Sequence, residues 1–439
     1  MQRANRVWMH GFGHWCLPFI HSCPPGVHFT RLAAIALPFV SLCYCWACIS
    51  GYWEKMALRG LKVIEMAGLA PAPFAGLVLA DFGANVIRVD KLADFSVDRL
   101  SRGKQSVSID LKSPRGAQAV RDLCKNADVL IEPFRPGVME RLGLGPDDLL
   151  KTNPRLIYAR LTGYGQTGKL AQRAGHDINY VAVSGVLSAL GRRHENPAFP
   201  GNLVGDFAGG SLMCVIGILT ALQERARSGK GQVIDAAMVD GASYLASFVY
   251  GVRETGMWDG PRGTNLLDGG APFYETYKTK DGKYMAVGSI EPQFYRLLLQ
   301  GLGLDGDSTL PEQLDKEGWP QLKERFTQIF ASKSQAEWCA IFDHTDACVT
   351  PVNELDDPLT DANSHGASRG ILYRSEEGVM PVPAPRLSRE GALDVQNLTM
   401  PRVGQHTVQA LTEAGISPAD VAKLLKDGII NDASGAAKL

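Results

Sequence analysis

From Leu61 onward the chain alternates short apolar runs with longer stretches whose apolar residues recur every three or four positions. The first kind reads as buried strand and the second as helix, because the two periods put side chains on different faces. "LKVIEMAG" reads as a strand ending in a turn. "APFAGLVLADFGA" reads as a helix ending near Gly83, and "NVIRVDK" as the next strand. "KSPRGAQAVRDLCKNA" predicts a helix with Ser113 at its cap and Pro114 at its first position. Strands "DVLIEPF" and "LIYARLTGYG" follow. This βαβ alternation implies an α/β fold: an open, parallel, Rossmann-like sheet in a large domain.

After Gly210, "SLMCVIGILTALQERARSGKG" predicts a long apolar helix stopped by glycines, and "QVIDAAMVDGASYLASFVYGV" a strand and then a helix. The large domain is expected over residues 56–250. Composition then shifts, and 251–270 reads as a Gly-rich, charged linker. "FYETYKTKDGKYMAVGSI" alternates on both sides of Asp281-Gly282, which predicts a hairpin with both turn residues at positive φ. A smaller α+β domain is expected over 271–370, with helices at "PQFYRLLLQGLG", "WPQLKERFTQIFAS" and "QAEWCAIFD". Residues 371–439 return to the large domain, with a Pro-rich stretch, a last helix pair and a polar tail.

The 439 residues are 45% hydrophobic and 21% charged with net charge −1, a soluble globular composition that makes no case for nucleic acid or an anionic membrane as partner. Five of nine cysteines fall in the first 48 residues, and the others are scattered, which argues against a zinc site and for a reducing compartment. Residues 1–55 stand apart. They hold no acid before Glu54, and Leu32 to Trp53 carry no charge. Three readings stay open: an organelle transit peptide, a bilayer-spanning stretch weakened by Pro38, or a dispensable leader before a working start at Met56. The final Ala437-Lys438-Leu439 has the small-basic-Leu form of a peroxisomal import address.

Two phosphate-binding patterns fail on inspection. The first βαβ turn reads "MAGLAPAPFAG", with Pro71 and Pro73 where a dinucleotide fingerprint needs glycines. "GYGQTGKL" spaces Gly163, Gly168 and Lys169 like a phosphate loop but puts Leu170 where a hydroxyl must hold magnesium.

Two other stretches carry titratable groups at helix starts. "GHDINY" delivers His176 and Asp177 ahead of a face formed by Ile178, Val181, Ala182, Val186 and Ala189. "NLVGDFAGG" delivers Asp206 ahead of the long apolar helix. An unpaired helix N-terminus favours a neutral imidazole and an ionised carboxylate, and each of those is a general base. Capped turns are the plain alternative. A metal site lacks a third nearby ligand, and a Ser-His-Asp triad lacks its G-x-S-x-G elbow. Glu291, in "GSIEPQF", reads as a helix cap, or as a carboxylate that holds a histidine if the small domain folds over the sheet.

"GHDINYVAVSGVL", "NLVGDFAGG", "GKGQVIDAAMVDG", "LDGGAPFYETY" and "VGSIEPQFY" together resemble the class III CoA-transferase superfamily, most closely its acyl-CoA racemase branch. The resemblance runs from Met56 to Leu439. It implies a cofactor-free 1,1-proton transfer at the α-carbon of a 2-methylacyl-CoA, as in branched-chain fatty acid and bile-acid intermediates. His176 would take the proton of the S epimer and Asp206 that of the R epimer. Glu291 would orient His176, and the backbone N–H of Asp177 would hold the enolate oxygen. CoA contacts carried over by position are Lys91, Ile109, Asp110, Leu111, Lys112, Pro133, Phe134, Arg135, Arg141, Gly175, Ile178, Asn179 and Tyr180. Lys91 departs from the arginine usual there and loses a bidentate fork. The resemblance also implies an interlocked homodimer, and a peroxisomal location through an import receptor, with mitochondria as a second compartment. Two rivals remain: a CoA-transferase with Asp206 as nucleophile, and a non-catalytic acyl-CoA binder.

Overall fold

The computed structural model describes residues 56–92, 98–362, 364–389, 391–392, 394–395 and 398–435. The leader and the last three residues therefore lie outside the described residues. The parallel strands of the large sheet are β1 (Lys62–Met66), β2 (Asn85–Asp90), β3 (Gln105–Ile109), β4 (Val129–Glu132), β5 (Ile157–Thr162) and β6 (Val233–Ala237). They pair in parallel in the order β3-β2-β1-β4-β5-β6, so the strand order reverses beside β1. The helices α1 (Pro71–Asp81) and α2 (Pro114–Lys125) both open on proline. Ser113 caps α2 by position, but its hydroxyl makes no capping bond. The sequence did not signal α3 (Val138–Arg141) and α4 (Pro146–Thr152), one-turn and two-turn pieces too short to show a period.

Beyond β5 come α5 (Asp177–Val183), a π-helix over Leu203–Leu212 that runs directly into α6 (Met213–Ser228), and α7 (Met238–Leu245) and α8 (Ser247–Gly251) after β6. One core cluster packs α2 and the C-terminal residues Ala410, Leu411, Val421 and Leu424 on one face of the sheet. Another packs α1 and α6 on the opposite face.

A second, three-stranded sheet, in the stretch expected as the small domain, pairs β7 (Tyr274–Lys278), β8 (Tyr284–Gly288) and β9 (Val349–Pro351) antiparallel. Helices α9 (Pro292–Leu302), α10 (Trp319–Phe330) and α11 (Gln335–Phe342) cover one face around Phe273, Tyr277, Phe326 and Trp338. The β7–β8 turn differs from expectation. Thr279 N–H bonds the Lys283 carbonyl at 2.9 Å, and only Gly282 has positive φ, at 83°. Three residues, not two, make the loop, so only its last position needs the left-handed conformation. Beyond the two-stranded β10 (Leu372–Ser375) and β11 (Gly378–Pro381), the chain returns to the large sheet and β12 (Ile430–Asn431) pairs antiparallel with β3. Arg102 anchors this return. It grips Asp81 at 3.0 and 2.7 Å and donates to the Tyr373 hydroxyl and the Pro381 carbonyl.

Candidate active site

The carboxyl ends of the parallel strands are where an open α/β sheet presents its loops to a ligand. Lys91 follows β2, Asp110 to Lys112 follow β3, Pro133 to Arg135 follow β4, and Arg141 ends α3. Lys91, Lys112, Arg135 and Arg141 are exposed, and none has an ion-pair partner among the described residues. The result is a cationic rim suited to phosphates. Ile109 does not belong to it as a side chain. It is fully buried in the core, so only the peptide after it can face a ligand. The loop after β4 is held from beneath, where Glu132 accepts the Phe134 N–H at 2.7 Å and the Arg160 guanidinium at 2.8 Å. Burial pushes the Glu132 carboxyl up to about 7, and the bonds to Phe134 and Arg160 oppose it.

The loop after β5 reaches His176, the exposed N-cap of α5. The inner face of this helix is not the apolar one expected. Asp177, Tyr180, Val181 and Ser184 are buried, while Ile178 and Ala182 are exposed. The helix also stops at Val183, with Gly185 at φ 85°, so Val186 to Ala189 form a separate 3₁₀ turn. The polar side chains win the inner face because each has a partner there. Asp177 Oδ1 accepts the backbone N–H of Asp206 at 2.7 Å, and Ser184 Oγ donates to the Val181 carbonyl at 2.8 Å.

The Asp177 bond ties the two stretches together. Gly205 makes room for it, since a Cβ there would stand 2.5 Å from Asp177 Oδ1. Asp206 itself is 6% exposed, in the first turn of the π-helix, a form often found at functional sites. Its Oδ2 accepts from Asn202 Nδ2 at 2.7 Å, which leaves Oδ1 without a bond among the described residues. Burial raises the Asp206 carboxyl above its ordinary value. The Asn202 bond pulls it back, the Asp177 charge pushes it up, and the nearby His176 imidazole pulls it down. Asn202 was legible only as an Asn four residues ahead of an Asp, the spacing of one helical face. The Asp177 N–H has no acceptor among the described residues.

The chain therefore brings together His176, Asp177 and Asp206, with Arg135 close enough for its charge to act on Tyr180. Among the described residues no hydrogen bond or ion pair joins Glu291 to them. Glu291 is the exposed N-cap of α9, beside Cys348 in the small domain. Among the described residues no cluster of three or more His, Cys, Asp or Glu could hold a metal ion.

The sequence profile of CoA-transferase family III matches residues 58–407. Alpha-methylacyl-CoA racemase from Homo sapiens is 54% identical over 377 residues, covering 85% of this chain and 98% of the relative. Succinyl-CoA:glutarate CoA-transferase from Mus musculus is 28% identical, covering 85% and 90%. Among solved structures, a CAIB/BAIF family protein from Brucella suis superimposes with TM-score 0.69 at 26% identity, covering 82% of this chain and all of that one.

Proposed function

The chain belongs to CoA-transferase family III, and from that premise we propose that it interconverts the R and S epimers of 2-methylacyl-CoA thioesters. His176 and Asp206 are the two bases. One removes the α-proton, and the other returns a proton to the opposite face of the planar enolate. No electrons are gained or lost overall, so the step calls for no redox cofactor. The observation that carries the reading is an imidazole and a buried carboxyl coupled in charge at one loop cluster, with one carboxylate oxygen held by Asn202 and the other left for substrate. Raised by burial, the Asp206 carboxyl stands closer to the pH at which it both gives and takes a proton. The free Asp177 N–H is the donor for the enolate oxygen, and such donors contribute about 3 kcal/mol. The exposed cations of the rim receive the CoA phosphates.

Glu291 makes no bond to His176 among the described residues, and the same reading has a second copy supply it. The last three residues serve as a peroxisomal address, with mitochondria as a second compartment; imaging with and without residues 437–439, and with and without 1–55, tests this. The activity is tested with pure (R)-2-methyldecanoyl-CoA and chiral analysis of the product. Epimerisation without any acceptor acid is expected. CoA transfer to an added free acid, with no epimerisation, would establish the transferase chemistry instead.

A further inference from the structure

The peptide bond between Gly175 and His176 is held on both sides by the first turn of its own helix. Its N–H donates to Asn179 Oδ1 at 3.0 Å, and its carbonyl accepts the Tyr180 hydroxyl. Tyr180 is only 8% exposed, and its ring is wedged in place. Tyr164 packs against it edge-on at 4.9 Å and 86°. Gly163 and Gly175 close on the ring so tightly that a Cβ at either position would meet it at 2.0 or 2.6 Å. Burial, then the charges of Asp206, Tyr164 and Asp177, push the hydroxyl up to about 12, so it remains a donor throughout the neutral range. A rigid ring thus aims one hydroxyl at one carbonyl.

The orientation of that peptide decides two things downstream. It sets the direction of the His176 Cα–Cβ bond, and so where the imidazole points. With the His176 backbone at φ −130° and ψ 174°, it also sets where the Asp177 N–H points. If the peptide plane turned, the base and the enolate donor would move together. Displacing a catalytic group by about 1 Å costs on the order of a hundredfold in rate.

We propose that Asn179 and Tyr180 are positioning residues that clamp the Gly175–His176 peptide, rather than contacts whose polar ends bind CoA. Asn179 Oδ1 and the Tyr180 hydroxyl proton are both already spent on the peptide. The inference rests on His176 acting as a base.

The test uses the full chain and three variants, Tyr180→Phe, Asn179→Leu and Asn179→Asp. Each is assayed for solvent deuterium entry at C2 from each epimer of 2-methyldecanoyl-CoA, and for affinity towards free CoA by calorimetry. Tyr180→Phe keeps the ring and removes only the hydroxyl. It and Asn179→Leu should slow exchange from both epimers through the displaced enolate donor, and about tenfold further for the epimer deprotonated by His176. CoA affinity should stay within about twofold, and Asn179→Asp, which keeps the accepting oxygen, should regain most of the rate. Equal loss for both epimers together with weakened CoA binding would overturn the clamp. His176→Ala, run alongside, separates the two readings. If it exchanges like wild type, the proton-transfer reading itself fails. If it loses exchange from the epimer that His176 serves while Tyr180→Phe and Asn179→Leu exchange both epimers at wild-type rates, only the clamp is overturned.

Discussion

Asp206 shows how a single side chain is tuned by neighbours that the sequence only half reveals. Its place at a helix start, and that of His176, could be read from the apolar run behind each. Its pKa could not. Burial raises it, and the Asn202 amide, four residues earlier, is the main group holding it down. The sign of a test follows. Asn202→Ala removes a stabiliser of the carboxylate, so the Asp206 pKa should climb further above its ordinary value. The acid limb of kcat/KM for the epimer that Asp206 deprotonates should move to higher pH, while the other epimer's limb stays. A limb that does not move, or moves down, would contradict Asp206 as the base. The inner face of α5 was misread for a related reason. Asp177 and Tyr180 look like surface residues by type, and they are buried because the backbone offers them partners.

Among the elements, strands and capped helices were legible because their periods and their prolines are local signals. The π-helix was not, since residue type does not encode which carbonyl an N–H will choose. Nor was the reason for particular glycines. Gly282 and Gly76 make a useful contrast. Gly282, at φ 83°, has nothing within 4 Å of a built Cβ, so alanine there pays only backbone strain, about 1–2 kcal/mol. Gly76 has no φ constraint, but its Cβ would stand 1.7 Å from Glu65 Oε2, which is fully buried and paired with Lys104 at 2.7 Å. Separating a buried ion pair is costly, roughly 3–5 kcal/mol when one partner is lost. Thermal unfolding should therefore show Gly76→Ala as clearly more destabilised than Gly282→Ala. The reverse order would mean that α1 can shift away from β1.

At the scale of the whole molecule, one side of the large domain is unfinished. The helical run Leu203–Ser228 is long and apolar enough to cross a membrane by length and composition, yet its inner side packs on the sheet. Its outer side exposes Leu203, Leu212, Ile216 and Leu219, with Tyr244 and Phe248 nearby in sequence on α7 and α8. An apolar surface of this kind marks an interface, and on the proposed reading a second copy would cover it and deliver Glu291. Sedimentation should give a dimer, and Glu291→Gln should lower epimerisation without dissociating it; an active monomer would remove the need for a partner. The smaller sheet was legible as a hairpin beyond the change in composition near Gly251, but the partner of Glu291 was not, because sequence does not say which chain completes a site. The two-base exchange is tested by deuterium entry at C2 of (R)- and (S)-2-methyldecanoyl-CoA in D₂O, without any acceptor acid. In the wild type, label should enter both epimers together with inversion. His176→Ala and Asp206→Asn should each abolish inversion while free CoA still binds. Inversion that survives the loss of either base would contradict that exchange.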